Sequence, residues 1–91
     1  MIYGIYVVRD AKTEFLTPTY DVNDESAIRN FSYAINNADG IMGFAPSDFD
    51  LFKIGTFDAS KGFLDKSEFP VPEFIISGGS VFNVKGSEID G

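Results

Sequence analysis

The chain has 91 residues, with fourteen acids against seven bases, a formal charge of −7, and no cysteine, histidine or tryptophan. That length accommodates one domain and not two. The missing residue types exclude disulfides, soft-metal sites and Ser–His or Cys–His nucleophiles, and the acid excess opposes a broad basic face for a phosphate backbone.

Apolar residues make up 44% of the chain and aromatics 15%, including ten Phe and four Tyr. Large rings bury much area each, so a short chain of this kind can build a core without staples. No apolar run approaches the ~20 residues that span a bilayer. The first stretch is apolar, but no basic region precedes it and no small-residue cleavage site follows. It reads as a strand rather than a signal peptide, and the cytoplasm is the expected compartment.

In chain order, residues 2–8 combine β-branched and aromatic side chains and form the first predicted strand. Tyr3, Ile5 and Val7 alternate with Ile2, Tyr6 and Val8. A strand apolar on both faces is central in its sheet or covered twice. Residues 9–12 make a polar turn into a second strand over 14–22, antiparallel to the first, where Pro18 dictates an edge or a bulge. A helix follows over 24–36, capped by Asn23 or Asp24, with acids in its first turn. Ala27, Ile28, Phe31, Ala34 and Ile35 repeat at helical spacing and form its buried stripe.

Residues 41–47 read as a loop with Met42, Phe44 and Ala45 as core plugs. A strand is predicted over 50–57, then a hairpin turn over 58–62 in which Gly62 takes positive φ. Phe63 and Leu64 begin the return strand, and 74–76 form a last short strand or an apolar cover. The fold class is α+β: a small antiparallel sheet of four to five strands in β-β-α-β-β order, with one amphipathic helix packed on it. Residues 1–76 form the single domain, and 77–91 a flexible Gly-rich tail.

Few residues carry obvious chemistry. Asp48, Asp50 and Asp58 are the acids nearest to a hard-cation set, but the hairpin-turn reading accounts for the 58–62 segment, where Lys61 adds a positive charge, so no metal is expected. Paired carboxylates need a cleft to shift one pKa, and a domain this small offers little room for one. No enzymatic activity, catalytic residue or cofactor is expected. The glycines at 40 and 43 lie between a helix end and a loop, which is no phosphate cradle. Tyr3, Tyr6, Phe52 and Phe57 are candidates for a base-stacking platform, with Arg9, Lys12, Arg29 and Lys53 to meet phosphates; the same rings also suit the core under the helix. Val81, Phe82 and Val84, between glycines, are candidates for adding as a strand to a partner or to a second copy of the chain.

The order of features is more specific than any one of them. Residues 5–12 read Ile-Tyr-Val-Val-Arg-Asp-Ala-Lys, with Phe15 and Pro18 shortly after. The helix carries Ala27-Ile28-Arg29-Asn30-Phe31, and residues 46–58 read Pro-Ser-Asp-Phe-Asp-Leu-Phe-Lys-Ile-Gly-Thr-Phe-Asp. Over about residues 2–64 this resembles the small nonstructural proteins of single-stranded-DNA microviruses, the gokushovirus branch of Microviridae. The resemblance implies a phage-encoded, DNA-binding accessory protein that assists genome replication in the host bacterial cytoplasm. It implies Tyr6, Arg9, Lys12, Arg29 and Lys53 as the nucleic-acid contacts. The expected partners are single-stranded DNA, a phage or host replication protein, or a second copy of the chain. The alternative function is an interaction module that engages a phage or host factor through a sheet edge or the C-terminal tail. No membrane partner is expected.

Overall fold

The helix over Asp24–Asn37 (α1) begins where the sequence provides a cap. The Asn23 side-chain oxygen accepts from the Ser26 N–H at 2.8 Å, and its carbonyl from Ala27 N–H at 3.1 Å. The first bond satisfies a donor that the first turn leaves without a helical partner, and the second opens the helical ladder. Ala27, Phe31 and Ile35 are buried along one side, as the 3.6-residue period requires.

The computed structural model describes residues 1–37 and 40–83. Five strands form one antiparallel sheet: Ile2–Asp10 (β1), Thr19–Asp21 (β2), Phe49–Asp58 (β3), Phe63–Asp65 (β4) and Glu73–Ser77 (β5). The lanes run β2-β1-β3-β4, and β5 shares the outer lane with β4 by pairing with the other half of β3. β1 is central, as its two apolar faces predict. β1 and β3 pair along their whole lengths, from Ile2 opposite Asp58 to Asp10 opposite Phe49. Ile54 is the extra residue of a bulge between the Ile5 and Tyr6 pairings.

The core forms between one sheet face and the helices. Tyr6, Phe49 and Leu51 from the sheet meet Ala27, Phe31 and Ile35. Met42 from a short helix over Ile41–Phe44 (α2) and Val81 from another over Gly78–Val81 (α3) pack against the same cluster. All three helices therefore lie on one face of the sheet. None among the described residues is long and apolar enough to cross a membrane.

Three local expectations change. The second strand is confined to Thr19–Asp21, with one isolated bridge from Phe15 to Arg9, because Pro18 has no N–H to continue the ladder. Phe44 is not a core plug: residues 41–44 wind into α2, Met42 turns inward, and Phe44 is left 86% exposed. The third change concerns the boundary at 77. Ser77 ends β5 and caps α3, its hydroxyl oxygen accepting from Ser80 N–H at 3.2 Å. Gly78 is buried, and a Cβ there would fall on the Pro46 carbonyl oxygen and come within 2.9 Å of both the Phe49 carbonyl oxygen and Ile35 Cδ1. The chain is therefore part of the folded unit beyond 77, and the proposed tail begins too early. The 58–62 turn forms as expected, with Gly62 at φ 70°.

Candidate functional site

Strand alternation sends Tyr3, Ile5, Val7 and Arg9 to the sheet face opposite the helices. Cross-strand pairing adds Phe57 opposite Tyr3, Phe52 opposite Val7 and Asp50 opposite Arg9 from β3, Leu64 from β4 and Phe74 from β5. Rings meet edge-to-face across this surface. Tyr3 contacts Tyr20 at 5.2 Å between centroids, and Phe52 contacts Phe15 at 5.5 Å and Phe74 at 5.8 Å. Such pairs use the positive ring edge against the negative face. Tyr20, Leu64 and Phe74 remain more than half exposed, at 66%, 74% and 56%.

One ion pair lies on this open face. Arg9 Nη2 donates to Asp50 Oδ2 at 3.1 Å, and the guanidinium lies 5.1 Å from the Phe52 ring centroid. Arg9 is held over the Phe52 ring, where cation–π attraction adds to the ion pair. Lys12 follows in the exposed turn after β1, its backbone N–H bound to Asp10 Oδ1 at 2.9 Å. Beside β4, a hollow of about 380 Å³ is lined by Ile5, Ile54, Gly55 and Leu64 together with Thr56, Asp65 and Lys66.

On the covered face, Tyr6 is 1% exposed and its hydroxyl donates to Asp24 Oδ1 at 2.5 Å. Lys53 Nζ binds the same oxygen at 3.1 Å and lies 5.7 Å from the Tyr6 ring centroid and 5.6 Å from that of Phe69. Gly4 makes the arrangement possible: it lies two residues back on the same face, and a Cβ there would overlap the Tyr6 ring. The cluster joins β1, β3 and the first residue of α1. It is a pin between helix and sheet.

Burial, and then the bond to Asp24, push the Tyr6 hydroxyl far above its ordinary pKa. The bond from Tyr6, supplemented by Lys53, holds the Asp24 carboxyl below its ordinary value against the opposing effect of burial. The signs differ. An unfolded Asp binds a proton below about pH 3.9 while folded Asp24 still resists it, so this contribution is lost as pH falls through the folded pKa. An unfolded Tyr loses its proton above about pH 10 while folded Tyr6 keeps it, so stability falls as pH rises past that point. Denaturation midpoints across pH should drop at both ends. Asp24→Asn should reduce the acid loss and Tyr6→Phe the alkaline one.

The sequence-predicted nucleic-acid residues do not converge. Tyr6 is enclosed under α1 and unavailable for stacking, because its ring fills the core and its hydroxyl is bound to Asp24. Lys53 is on that same covered face, paired with Asp24. Arg29 stands on the exposed surface of α1, reaching Ser26 Oγ at 3.4 Å. Only Arg9 and Lys12 neighbour the open aromatic face, where Phe52 and Phe57 lie with Tyr3. Phe15, Tyr20 and Phe74 join them without having been singled out by the sequence. Their sole sequence signal is that aromatics also occur in the turn and edge segments.

The candidate partner segment is also placed differently. Val81 packs on the core, and its carbonyl accepts from Asn36 Nδ2 at 2.8 Å. Asn83 N–H donates to Asn36 Oδ1 at 2.7 Å. Those bonds commit 81–83 to α1 rather than to a free strand. Phe82 is 39% exposed, and Val84 lies outside the described residues. Of the acids, Asp50 faces Arg9, while Asp58 at the far end of β3 accepts from Ser60 Oγ at 2.7 Å.

No match to a curated protein or to a solved structure reaches significance. A family model does match, and it extends past residue 64, where the sequence likeness fades, to include β5 and α3. Residues 3–81 fit the model described as Phage ORF5 protein, and the chain belongs to that phage protein family.

Proposed function

We propose that this phage accessory protein is a non-enzymatic binder of single-stranded DNA, acting in genome replication of a gokushovirus-like microvirus in the host bacterial cytoplasm. The observation that carries the reading is the sheet face opposite the helices, where the exposed rings of Phe15 and Phe74 flank a buried Phe52 beside Arg9. Unpaired bases stack on aromatic faces without sequence preference, and a cation nearby meets the backbone. Of the candidate cations, Arg9 and Lys12 serve that second role, so contact is short and weakly salt-dependent.

Fluorescence anisotropy of a labelled single-stranded oligonucleotide, titrated at several salt concentrations, tests this. Saturable binding is expected, with a log–log salt slope of about −1 to −2 for two phosphate contacts. Phe74→Ala, at an exposed ring, should weaken it roughly tenfold, the order of one lost base stack. Absence of saturable binding at low salt overturns the reading.

A second reading is favoured by charge. The chain carries −7, yet the open face holds a mutually neutralised Arg9–Asp50 pair among apolar groups. Such a surface also suits a phage or host replication protein. A pulldown from nuclease-treated infected cells that returns neither counts against it.

A further inference from the structure

The open face is apolar across all its lanes, from Tyr20 on β2 to Leu64 and Phe74 on β4 and β5. Its exposed part lies at Tyr20, Leu64 and Phe74, around a centre where Val7 and Phe52 are already buried, and exposed apolar groups arranged so mark an interaction surface. Its size suits a partner of its own shape. The thirty strand residues, each covering ~3.3 by ~4.8 Å, give roughly 480 Å² before side-chain relief is counted, the scale of a weak dimer. A standard interface uses about 800 Å² per partner. Charge points the same way. Arg9 and Asp50 already neutralise each other on this face, so bringing two copies together there opposes no net charge locally, while any approach through the acidic remainder does.

We propose that the open face packs against the same face of a second copy, forming a two-fold dimer with its helices outside, and, resting on the DNA reading above, that this dimer is the closed form single-stranded DNA must open. Two sheets facing each other at ~10 Å interdigitate their inner side chains, and a two-fold axis makes one patch serve both sides. Tyr3 and Tyr20 at one end and the Phe15, Phe52 and Phe74 group at the other then form the inner layer. Bases and the second copy compete for the same rings. The dimer fraction therefore sets the apparent DNA affinity.

Sedimentation velocity of the full chain from about 1 μM to about 1 mM, the range of weak to moderate association, tests the dimer. A concentration-dependent shift from monomer to dimer is expected. Leu64→Lys, at a 74% exposed open-face position, should raise the dissociation constant at least tenfold. Tyr33→Lys, at a 69% exposed position on α1, should leave it unchanged. Circular dichroism checks that both variants fold. A wild-type monomer mass independent of concentration overturns the dimer, as does a dimer that Leu64→Lys fails to weaken or that Tyr33→Lys weakens equally.

Oligonucleotide anisotropy over the same protein concentrations separates the two readings. Apparent affinity should fall about tenfold where roughly nine-tenths of the protein is dimeric, because only the open fraction binds. The Leu64→Lys monomer should lose that concentration dependence and still bind. Undiminished binding by the dimer overturns the closed-form role. A Leu64→Lys monomer that binds no DNA overturns the DNA reading and leaves the dimer standing.

Discussion

Replacing Gly78 by alanine is expected to destabilise the protein by about 3 kcal/mol, the upper part of the range for overpacking a filled site. The new Cβ would meet the backbone carbonyl of Pro46, with that of Phe49 at 2.9 Å. Neither is the mobile end of a side chain. Relief requires α3 to lift from the sheet, taking Val81 from the core and disturbing the Asn36 bonds to Val81 and Asn83. Gly79 provides the control: there a Cβ meets Ser47 Oγ at 3.0 Å, a group that can turn aside. Gly79→Ala should cost well under half as much, both being read from urea midpoints at constant m-value.

The second large effect is expected at Tyr6. Tyr6→Ala removes a ring that is 1% exposed and touches helix and sheet together, and should cost about 3–5 kcal/mol by analogy with other large-to-small core changes. Tyr6→Phe separates the contributions. It keeps the ring and loses the bond to Asp24, for about 1–2 kcal/mol. Asp24 still retains Lys53 and the dipole of α1, so its charge is not abandoned. If Tyr6→Phe proves as costly as Tyr6→Ala, the hydroxyl rather than the ring secures α1, and the packing account fails. Thermal or chemical denaturation of the two variants side by side decides between them.

Much of the fold is legible in the sequence because local and tertiary demands agree there. In α1 the Asn23 cap, the acids of the first turn and the stripe at Ala27, Phe31 and Ile35 all specify the same helix. β3 and its turn are equally consistent, from the alternation around Leu51 to the positive φ at Gly62. Where these demands diverge, the reading fails. Gly78 and Gly79 resemble a hinge because glycine has the same local signature in a linker and under a close backbone contact. Only the approach of Pro46 and Phe49, distant in sequence, distinguishes the two.

The candidate site was partly legible for a related reason. The two apolar faces of β1 are evident in Tyr3, Ile5 and Val7 against Ile2, Tyr6 and Val8, and they place β1 centrally. Sequence does not say that the helices cover only one of them. Tyr6 and Tyr3 both suit stacking by residue type, although strand alternation alone sends them to opposite faces, while the bulge at Ile54 brings Phe52 and Phe57 to the same one. Nor does pattern reveal that Asp24, an unremarkable first-turn acid, binds both Tyr6 and Lys53. Those contacts join residues far apart along the chain, and no local periodicity encodes them.

The full-length pairing of β1 with β3 has a consequence for how the chain is made. Asp10 finds its partner only when Phe49 has been synthesised, and Ile2 waits for Asp58. At translation rates of about 5–20 residues per second, β1 spends seconds outside the ribosome before its ladder can close. Contacts this distant in sequence also slow folding, because a long loop must close before any of them forms. During that interval both apolar faces of β1 are exposed, so a strand paired on both sides in the finished protein is open to chaperones and to aggregation during birth.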